Sequence, residues 1–297
     1  AEALGEALGR RVLGCFVHLP LAGRMVQIAG ADAAKEREDG TAMTTEYHAK
    51  YWAQCLQQQR AQDDVSGISR SIANARVDLN PHQIDAALFA LRSPLSKGVL
   101  LADDVGLGKT IEAGIVLSQK WAERRRRILL ITPATLRKQW QNELASKFFI
   151  DSVIVETKTV NDAKKKHERD PLRRDDAIVI VSYEFAYARA AEIGALTWDL
   201  VVCDEAHRLR SVYKGTKKAV AIAKAIQAPR KLLLTATPLQ NNLLELYGLV
   251  SILDEQVFGP QDSFTAQYVK NDDEAERNGA LRDRLARTIQ RHDRPAQ

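Results

Sequence analysis

One stretch of the chain, residues 98–113, joins an apolar run, a glycine-containing turn and the start of a helical pattern. The run Val99–Ala102 is typical of a buried strand. Gly106 and Gly108 lie in the turn, and Lys109-Thr110 opens the helical segment. The backbone N–H groups of such a turn and the positive end of the helix point at one anion. The stretch therefore predicts a phosphate-binding loop, and it constrains the fold of everything around it.

Asp103 departs from the usual P-loop pattern, which has a glycine at that position, five residues before Gly108. The rest of the spacing fits a nucleotide site, with Gly-Lys-Thr placed between a strand and a helix. We expect the nucleotide to be bound by six residues of this loop: Asp103, Gly106, Leu107, Gly108, Lys109 and Thr110.

The composition is that of a globular protein with 297 residues, of which 45% are hydrophobic, enough for a sizeable core. Lys and Arg number 43 against 38 Asp and Glu, which favours an acidic partner such as nucleic acid. A solvated surface that happens to be basic explains the same charge equally well. Charge alone therefore leaves both interpretations open.

The cysteines and histidines give no sign of a disulfide framework or a zinc site. Cys15, Cys55 and Cys203 are far apart and odd in number, and the 6 histidines are scattered. No apolar run approaches the roughly 18 residues needed to span a bilayer. We expect a protein of the reducing cytoplasm, without a membrane anchor.

From the loop onward, short β-branched runs alternate with longer helical segments, which indicates an α/β fold: a doubly wound parallel sheet with helices on both faces. In such a sheet, ligands bind at the carboxyl ends of the strands. The predicted strands are Val99–Ala102, Ile128–Thr132, Val153–Glu156, Ile178–Ser182, Leu200–Cys203 and Lys231–Thr235. The predicted helices between them are Thr110–Ala122, Ala134–Lys147, Tyr183–Ile193, Thr216–Ile226 and Leu243–Leu253.

Residues 1–75 form a poorly defined N-terminal segment with a predicted helix near 44–62. The predicted nucleotide-binding lobe follows this segment. The lobe opens with a helix over Ile84–Leu91, capped by Asn80-Pro81.

An acidic pair, Asp204-Glu205, follows the buried run Leu200–Cys203 and precedes Ala206-His207. A phosphoryl-transfer site needs one carboxylate to hold Mg²⁺ and another group to position the attacking water. We expect Asp204 and the Thr110 hydroxyl to hold Mg²⁺. Glu205 would then position the attacking water, and Lys109 would bind the β- and γ-phosphates.

Arg124–Arg127 is the densest basic run in the sequence. It follows the predicted helix Thr110–Ala122, where cations offset the helix dipole. Direct contact with nucleic acid is the other interpretation, and the sequence leaves both open.

Together these segments resemble the first RecA-like lobe of the Swi/Snf-type, superfamily-two helicase-like ATPases. Residues 102–110 resemble motif I, and Asp204-Glu205-Ala206-His207 is the DEAH form of motif II. The other similar segments are Leu79–Gln83 (the adenine-reading segment), Leu129–Leu144 (motif Ia), Ile178–Glu184 (motif Ib) and Leu232–Asn242 (motif III). The resemblance covers roughly residues 76–260, which it implies are the ATP-binding lobe, and it implies that residues 261–297 are a helical connection toward a second lobe.

The resemblance implies further roles. Gln83 would contact adenine, and the cofactors would be ATP and Mg²⁺. Coupling of hydrolysis to lobe movement would involve His207, Thr235 and Thr237. Contacts to the nucleic-acid backbone would come from Thr132, Pro133, Ser182 and Tyr183.

Small departures from the family pattern point to its bacterial branch. Asp104 stands where the family usually has Glu, and Val105 where it often has Met, while Asp103 itself fits the family's loop. This version is similar to the RNA-polymerase-recycling branch and to defence-associated relatives. RNA polymerase or a defence-system subunit is therefore a possible protein partner.

The resemblance also implies a second RecA-like lobe, which supplies an arginine finger worth about 10³ to 10⁵ in rate in related phosphoryl transfer. Only a short segment follows motif III here. Its Arg287, Arg291 and Arg294 fit an exposed basic helix end better than a finger. We therefore expect the first lobe only, with low activity on its own.

The expected function is that of an ATP-binding motor lobe from a DNA-dependent translocase that remodels protein–DNA complexes on double-stranded DNA. Two alternatives stay open: a non-catalytic module that binds DNA or a partner, and a lobe of an RNA-directed helicase. The intact Lys109 and Asp204-Glu205 argue against the first, and Pro238–Asn241 against the second.

Overall fold

The structure is a computed structural model of the chain. It describes residues 16–21, 24–29, 75–76, 80–92, 97–104, 107–226, 230–239, 242–270, 274–286 and 288–290. The chain divides into two compact units, Ala1–Gln59 and Arg60–Gln297.

Within Ala1–Gln59, the described elements are two antiparallel strands, β1 (Phe16–Leu21) and β2 (Arg24–Ala29), in a region where the sequence predicted no regular period. The helix predicted near 44–62 lies outside the described residues.

The second unit, Arg60–Gln297, alternates strands and helices. Its strands are β3 (Gly98–Leu101), β4 (Ile128–Thr132), β5 (Ser152–Ile154), β6 (Ile178–Ser182), β7 (Leu200–Asp204), β8 (Lys231–Leu234) and β9 (Ile289–Gln290). Its α-helices are α1 (Pro81–Arg92), α2 (Lys109–Ala122), α3 (Arg137–Phe148), α4 (Thr157–Lys165), α5 (Tyr183–Ala188), α6 (Ala190–Gly194), α7 (Lys217–Ala225), α8 (Leu243–Leu253), α9 (Gln261–Phe264) and α10 (Glu274–Leu285). A 3₁₀ helix (Ala206–Lys214) and a π-helical turn (Thr265–Val269) complete it.

Among the described residues, the strands of this unit form one seven-stranded sheet in the order β5-β6-β4-β7-β8-β3-β9. Every pairing is parallel, so all the strands end at one edge of the sheet, here called the carboxyl edge, and begin at the other, the amino edge. The predicted doubly wound α/β fold is confirmed.

Two apolar clusters cover the two faces of this sheet, and β4 shows why. Ile128 and Leu130 belong to the cluster that includes α1, α2 and α3, whereas Leu129 and Ile131 belong to the cluster on the opposite face. Successive side chains of a strand point to opposite faces, so a strand that is buried on both sides must be apolar throughout.

The element bounds differ from the predicted ones mainly at their ends. The helix predicted from Ala134 begins at Arg137, after a turn, and the one predicted over Tyr183–Ile193 is interrupted at Arg189. Helix α4 forms where the sequence predicted a polar connection, and the segment predicted as a helical connection contributes β9 to the sheet. None of the described helices is long and apolar enough to cross a membrane.

Candidate nucleotide site

The phosphate loop lies between β3 and α2, at the carboxyl edge. Gly108, immediately before α2, has φ 95° and ψ 35°, a left-handed conformation that favours glycine. A Cβ added there would also lie 2.2 Å from Nε2 of Gln83, so the site has no room for one. Val105 and Gly106, the latter a predicted ligand, lie outside the described residues.

The ammonium group of Lys109 is bonded to its own loop. It donates to the main-chain oxygens of Asp103 at 2.7 Å and of Asp104 at 3.0 Å. An ammonium has three donors and no acceptor, so these bonds leave one N–H for an incoming anion. The cation is thus kept beside the turn without a carboxylate partner among the described residues.

Gln83 joins the first turn of α1 to the phosphate loop. Its Nε2 donates to the main-chain oxygen of Leu107 at 2.9 Å, and its Oε1 accepts from the N–H of Asn80 at 3.2 Å. His82 Nε2 lies 3.0 Å from the same Leu107 oxygen. The Gln83 side chain is 5% exposed, so in this structure its amide holds the loop. Its contact with adenine stays a prediction.

Asp204 ends β7 and receives three hydrogen bonds. Its Oδ2 accepts from Thr132 Oγ1 at 3.0 Å and from Trp140 Nε1 at 2.8 Å, and its Oδ1 accepts from the main-chain N–H of Glu205 at 3.0 Å. Burial raises the pKa of Asp204 above its usual range, and the bonds from Trp140 and Thr132 lower it in part. The carboxylate is therefore fixed in orientation, with Oδ1 the less occupied oxygen.

The register of the sheet places this carboxylate level with the phosphate loop. Asp204 pairs with Leu234 of β8, and Leu234 in turn pairs with Leu101, the last residue of β3. Two interstrand spacings separate them, about 10 Å between backbones. A phosphate on the loop and a metal on Asp204 would thus share one pocket at the carboxyl edge.

Comparison with known proteins decides the family. Residues 46–294 match the SNF2-related domain. The chain belongs to this family. An SNF2-related domain is a helicase-like ATPase unit, so nucleotide binding and hydrolysis are the family's chemistry.

Relatives of this SNF2-related domain are longer than the chain. A Bacillus subtilis (strain 168) protein described as an uncharacterized ATP-dependent helicase, YqhH, is 32% identical over 219 residues, which cover 72% of this chain and 36% of that protein. The SWI2/SNF2 ATPase core of Sulfolobus solfataricus has the same fold. Its structure in complex with dsDNA has a TM-score of 0.64 and 23% identity over 75% of this chain and 46% of that one. Its core domain structure has a TM-score of 0.60 and 22% identity over 74% and 44%.

Beneath the phosphate loop of this SNF2-related domain lies a second carboxylate that the sequence reasoning missed. Glu112 of α2 is fully buried beside Asp103. Burial, followed by the nearby charge of Asp103, raises the pKa of Glu112 from 4.5 to about 8. Glu112 is the one charged residue in the buried stretch Ile111–Leu117, a signal that the sequence did carry.

Glu205 and His207 are more open than Asp204. Glu205 has φ 53° and ψ 47°, a left-handed conformation that is uncommon for a side chain of this size. Its side chain is 36% exposed, and its Oε2 lies 3.1 Å from Nδ1 of His207 without hydrogen-bond geometry. This exposed carboxylate is free to turn toward a water.

Thr235 and Thr237, the other predicted coupling residues, follow β8 at the same edge. Thr235 is buried, and its Oγ1 accepts from the main-chain N–H of Thr237. The main-chain N–H of Thr235 reaches Leu101 O at 3.1 Å, which ties this segment to the start of the phosphate loop. Their role in coupling stays a prediction.

The four residues predicted to contact nucleic acid, Thr132, Pro133, Ser182 and Tyr183, are buried. Ser182 caps α5 by accepting from the N–H of Phe185, and the Tyr183 hydroxyl donates to Asp204 O at 2.7 Å. Burial also raises the pKa of Tyr183 well above its usual value. In this structure they support the site from inside, and their contact with nucleic acid stays a prediction.

Proposed function

We propose that this SNF2-related domain is the ATP-binding motor lobe of a duplex-DNA-dependent ATPase. The observation that carries the proposal is that the sheet register places Asp204 beside the start of the phosphate loop. The two lie at the carboxyl edge, on strands two positions apart. The family supplies the reaction class, and the dsDNA bound to the Sulfolobus relative supports duplex DNA as the track.

Each residue of the pocket has a separate task in this proposal. Lys109 exchanges its loop carbonyls for the β- and γ-phosphates, because an ammonium gains more from an anion than from neutral oxygens. Gln83 and His82 keep the Leu107 carbonyl in place while this happens. Glu205, which is half-buried beside His207, orients the attacking water.

The residues of the pocket fit Mg²⁺. No cluster of three or more metal-binding side chains occurs in the part of the chain that the structure describes. Mg²⁺ does not need one, since it is commonly bound by one or two carboxylates together with substrate phosphates and waters. Asp204 and the Thr110 hydroxyl would hold the ion, which would neutralise charge on the phosphates.

We further propose that efficient turnover requires a second lobe. The chain spans about a third of the length of its Bacillus relative and under half of the solved Sulfolobus chains. With the lobe at 76–260 and a connection beyond it, we expect slow hydrolysis from residues 1–297 alone. Remodelling of protein–DNA complexes in the cytoplasm, with RNA polymerase or a defence-system subunit as a partner, belongs to the same proposal.

The first test measures binding of a fluorescent ATP analogue to residues 1–297 in the presence of Mg²⁺. Lys109→Ala should weaken binding at least 10-fold, because a charge-assisted contact to phosphate is lost. Lys224→Ala, which removes an exposed lysine of α7, is the matched control and should change nothing. Equal affinities for Lys109→Ala and the unmodified chain would contradict the proposal.

Hydrolysis with duplex DNA, single-stranded DNA and RNA then separates the alternatives. Stimulation by duplex DNA supports the translocase lobe, whereas preferential stimulation by RNA would support an RNA-directed helicase. A Lys109→Ala chain that keeps its biological effect would support the non-catalytic module.

A further inference from the structure

The amino edge of the sheet, opposite the nucleotide site, gathers positive charge from three separate segments. One precedes β3, one runs from the end of α2 to the start of β4, and one leads into β8. Backbone hydrogen bonds join them: Asp199 N to Arg127 O, Val201 N to Arg230 O and Lys231 N to Lys97 O. The amino-edge patch has seven basic residues, Lys97, Lys120, Arg124, Arg125, Arg126, Arg127 and Arg230, and an eighth, Lys231, is buried.

The acidic residues facing the patch neutralise only part of it. Asp254 pairs with Lys97 at 3.2 Å, Glu123 with Lys120 at 2.7 Å, and Asp199 with Arg125 at 3.7 Å. Among the described residues, no carboxylate lies within ion-pair distance of four further arginines: Arg124, Arg126, Arg127 and Arg230. Arg124 and Arg127 are exposed, and Arg230 is half-buried.

The helix dipole does not explain these arginines. Helix α2 ends at Ala122, and the dipole acts mainly within its last turn. Arg124 closes the helix at φ 60°, a position at which glycine would avoid a cost of about 1–2 kcal/mol. Arg127 lies beyond the helix, at the start of β4, and its guanidinium bonds to no described residue. A solvated surface and an anionic ligand are the two remaining explanations, and the meeting of cations from separate segments at one edge favours the ligand.

Among the described residues, Trp121 is the aromatic ring that contacts a cation of the patch, and this favours a duplex over a single strand as the ligand. Single-stranded nucleic acid is bound by stacking bases on exposed aromatic rings. Here the guanidinium of Arg126 stacks on the Trp121 ring, with Cζ 4.1 Å from the ring centroid, and so occupies the face on which a base would stack. That contact holds the fork of Arg126 in a fixed orientation, suited to a phosphate.

We propose that the amino-edge patch binds the phosphate backbone of double-stranded DNA as a second contact surface, on the edge of the sheet opposite the nucleotide site. The three interstrand spacings from β4 to β3 span about 14 Å. A duplex presents about eight phosphate charges over that length. The surface reads no sequence, since it offers charge and not base-edge recognition.

The test uses the full chain without nucleotide and a short fluorescent duplex, with binding followed by anisotropy over a range of salt concentrations. Arg124→Gly/Arg127→Ser removes two unpaired cations and no described hydrogen bond. It should weaken binding about 10-fold at 0.1 M salt and lower the slope of log K against log salt by about 2. Because glycine suits the left-handed position of Arg124, thermal stability should not fall.

The matched control is Arg173→Ser/Arg174→Ser, which removes the same charge from arginines already paired with Asp170 and Asp176. It should change the affinity for the duplex less than 2-fold. Equal losses in the two double variants would overturn the proposal, since only net charge would then matter.

A local readout complements the affinity. Duplex DNA should protect Lys97, whose side chain is 56% exposed, from acetylation, and should leave the exposed Lys224 reactive. Tighter binding of single-stranded DNA, or displacement of the duplex by polyglutamate at equal charge, would overturn the proposal. Arg124→Gly/Arg127→Ser should bind the fluorescent ATP analogue as tightly as the unmodified chain, because neither residue lies in the nucleotide site, so failure of the proposed ATPase function and failure of the patch are distinguishable.

Discussion

The two edges of the central sheet handle polar groups in opposite ways. At the carboxyl edge, Asp204 and Gln83 are held by hydrogen bonds from or to other protein groups. At the amino edge, Arg124 and Arg127 are exposed and unpaired among the described residues, and Lys97 forms only a surface ion pair.

The difference fits the two roles proposed for these edges. Fixed, desolvated groups interact strongly and only in one geometry, which suits a reaction centre. Exposed cations contribute little to stability and respond to salt, which suits loose contact with a polyanion. Substitutions at the carboxyl edge should therefore change stability or catalysis, and those at the amino edge mainly binding.

The largest effect is expected for Glu112→Gln at high pH. The pKa of Glu112 is raised from 4.5 to about 8 in the folded chain. The protonated side chain therefore contributes its full stability to the fold below pH 4.5, and this contribution is lost as the pH rises through 8. At pH 9 the variant should be more stable by up to about 5 kcal/mol, at 1.36 kcal/mol per pKa unit. Urea unfolding at pH 5 and pH 9 measures this.

Glu123→Gln is the control, since that carboxylate is exposed and paired with Lys120. We expect it to change the free energy of unfolding by less than about 1 kcal/mol at both pH values. If the stability advantage of Glu112→Gln over the unmodified chain is the same at pH 5 and pH 9, ionisation of the buried Glu112 does not limit the stability of the fold.

Trp140→Phe comes next, because it removes the N–H that holds Asp204 and keeps an aromatic ring in the core. In the proposed function Asp204 holds Mg²⁺, and loss of an outer partner of a metal ligand costs about 10- to 100-fold in metal affinity or activity. We expect that loss in ATP hydrolysis, measured as kcat at saturating Mg²⁺ and DNA in a protein containing this domain.

Trp198→Phe tests the same chemistry away from the site. The buried Trp198 Nε1 donates to Ile193 O at 3.0 Å, so both variants lose one buried hydrogen bond, worth about 1 kcal/mol of stability. Only Trp140→Phe should slow hydrolysis. Similar hydrolysis rates for the two variants would mean that the hydrogen bond from Trp140 to Asp204 has no part in the reaction.

A smaller effect is expected for Gly108→Ala, which should lower the free energy of unfolding by about 2 kcal/mol. The left-handed φ costs about 1–2 kcal/mol, and the new Cβ displaces the Gln83 amide from Leu107 O. In the Gln83→Ala background the clash disappears and only the φ cost remains. A double-mutant cycle of Gly108→Ala and Gln83→Ala, measured by chemical denaturation, gives the coupling free energy between the two positions. Fully additive changes would contradict the clash between the new Cβ and the Gln83 amide.

The smallest effect on stability is expected for Asp199→Asn at the amino edge. Its exposed pair with Arg125 is worth less than about 1 kcal/mol, and asparagine can still accept from the N–H of Arg127. Duplex affinity should rise about 2-fold at low salt, because one repelling carboxylate is gone. Anisotropy at two salt concentrations checks this, and weaker binding would contradict the amino-edge patch.

Much of the fold could be predicted because apolar runs report strands directly. Ile128–Thr132 and Ile178–Ser182 were predicted with the bounds that the structure shows, since both are buried on both faces and contain no polar interruption. Strand β9 could not be predicted, because two residues give no period and pair only where β3 offers an open edge.

The candidate site divides in the same way. Its loop and its acidic pair lie on contiguous motifs, so their residue types and order could be identified from the chain alone. The partners of those residues could not. Trp140 is 64 positions from Asp204, and no local pattern says which buried group its N–H meets.

The sequence by itself therefore determined the order of strands β3 to β8 and of most helices between them, the candidate phosphate loop at residues 103–110 and the acidic pair Asp204-Glu205. Only the tertiary structure decided that Tyr183 points inward to Asp204, that Glu112 is buried beside Asp103, and that distant cations meet at one edge. The physical reason is that periodicity and turn chemistry act over a few residues. Burial and side-chain partners depend on the register of strands far apart in the chain.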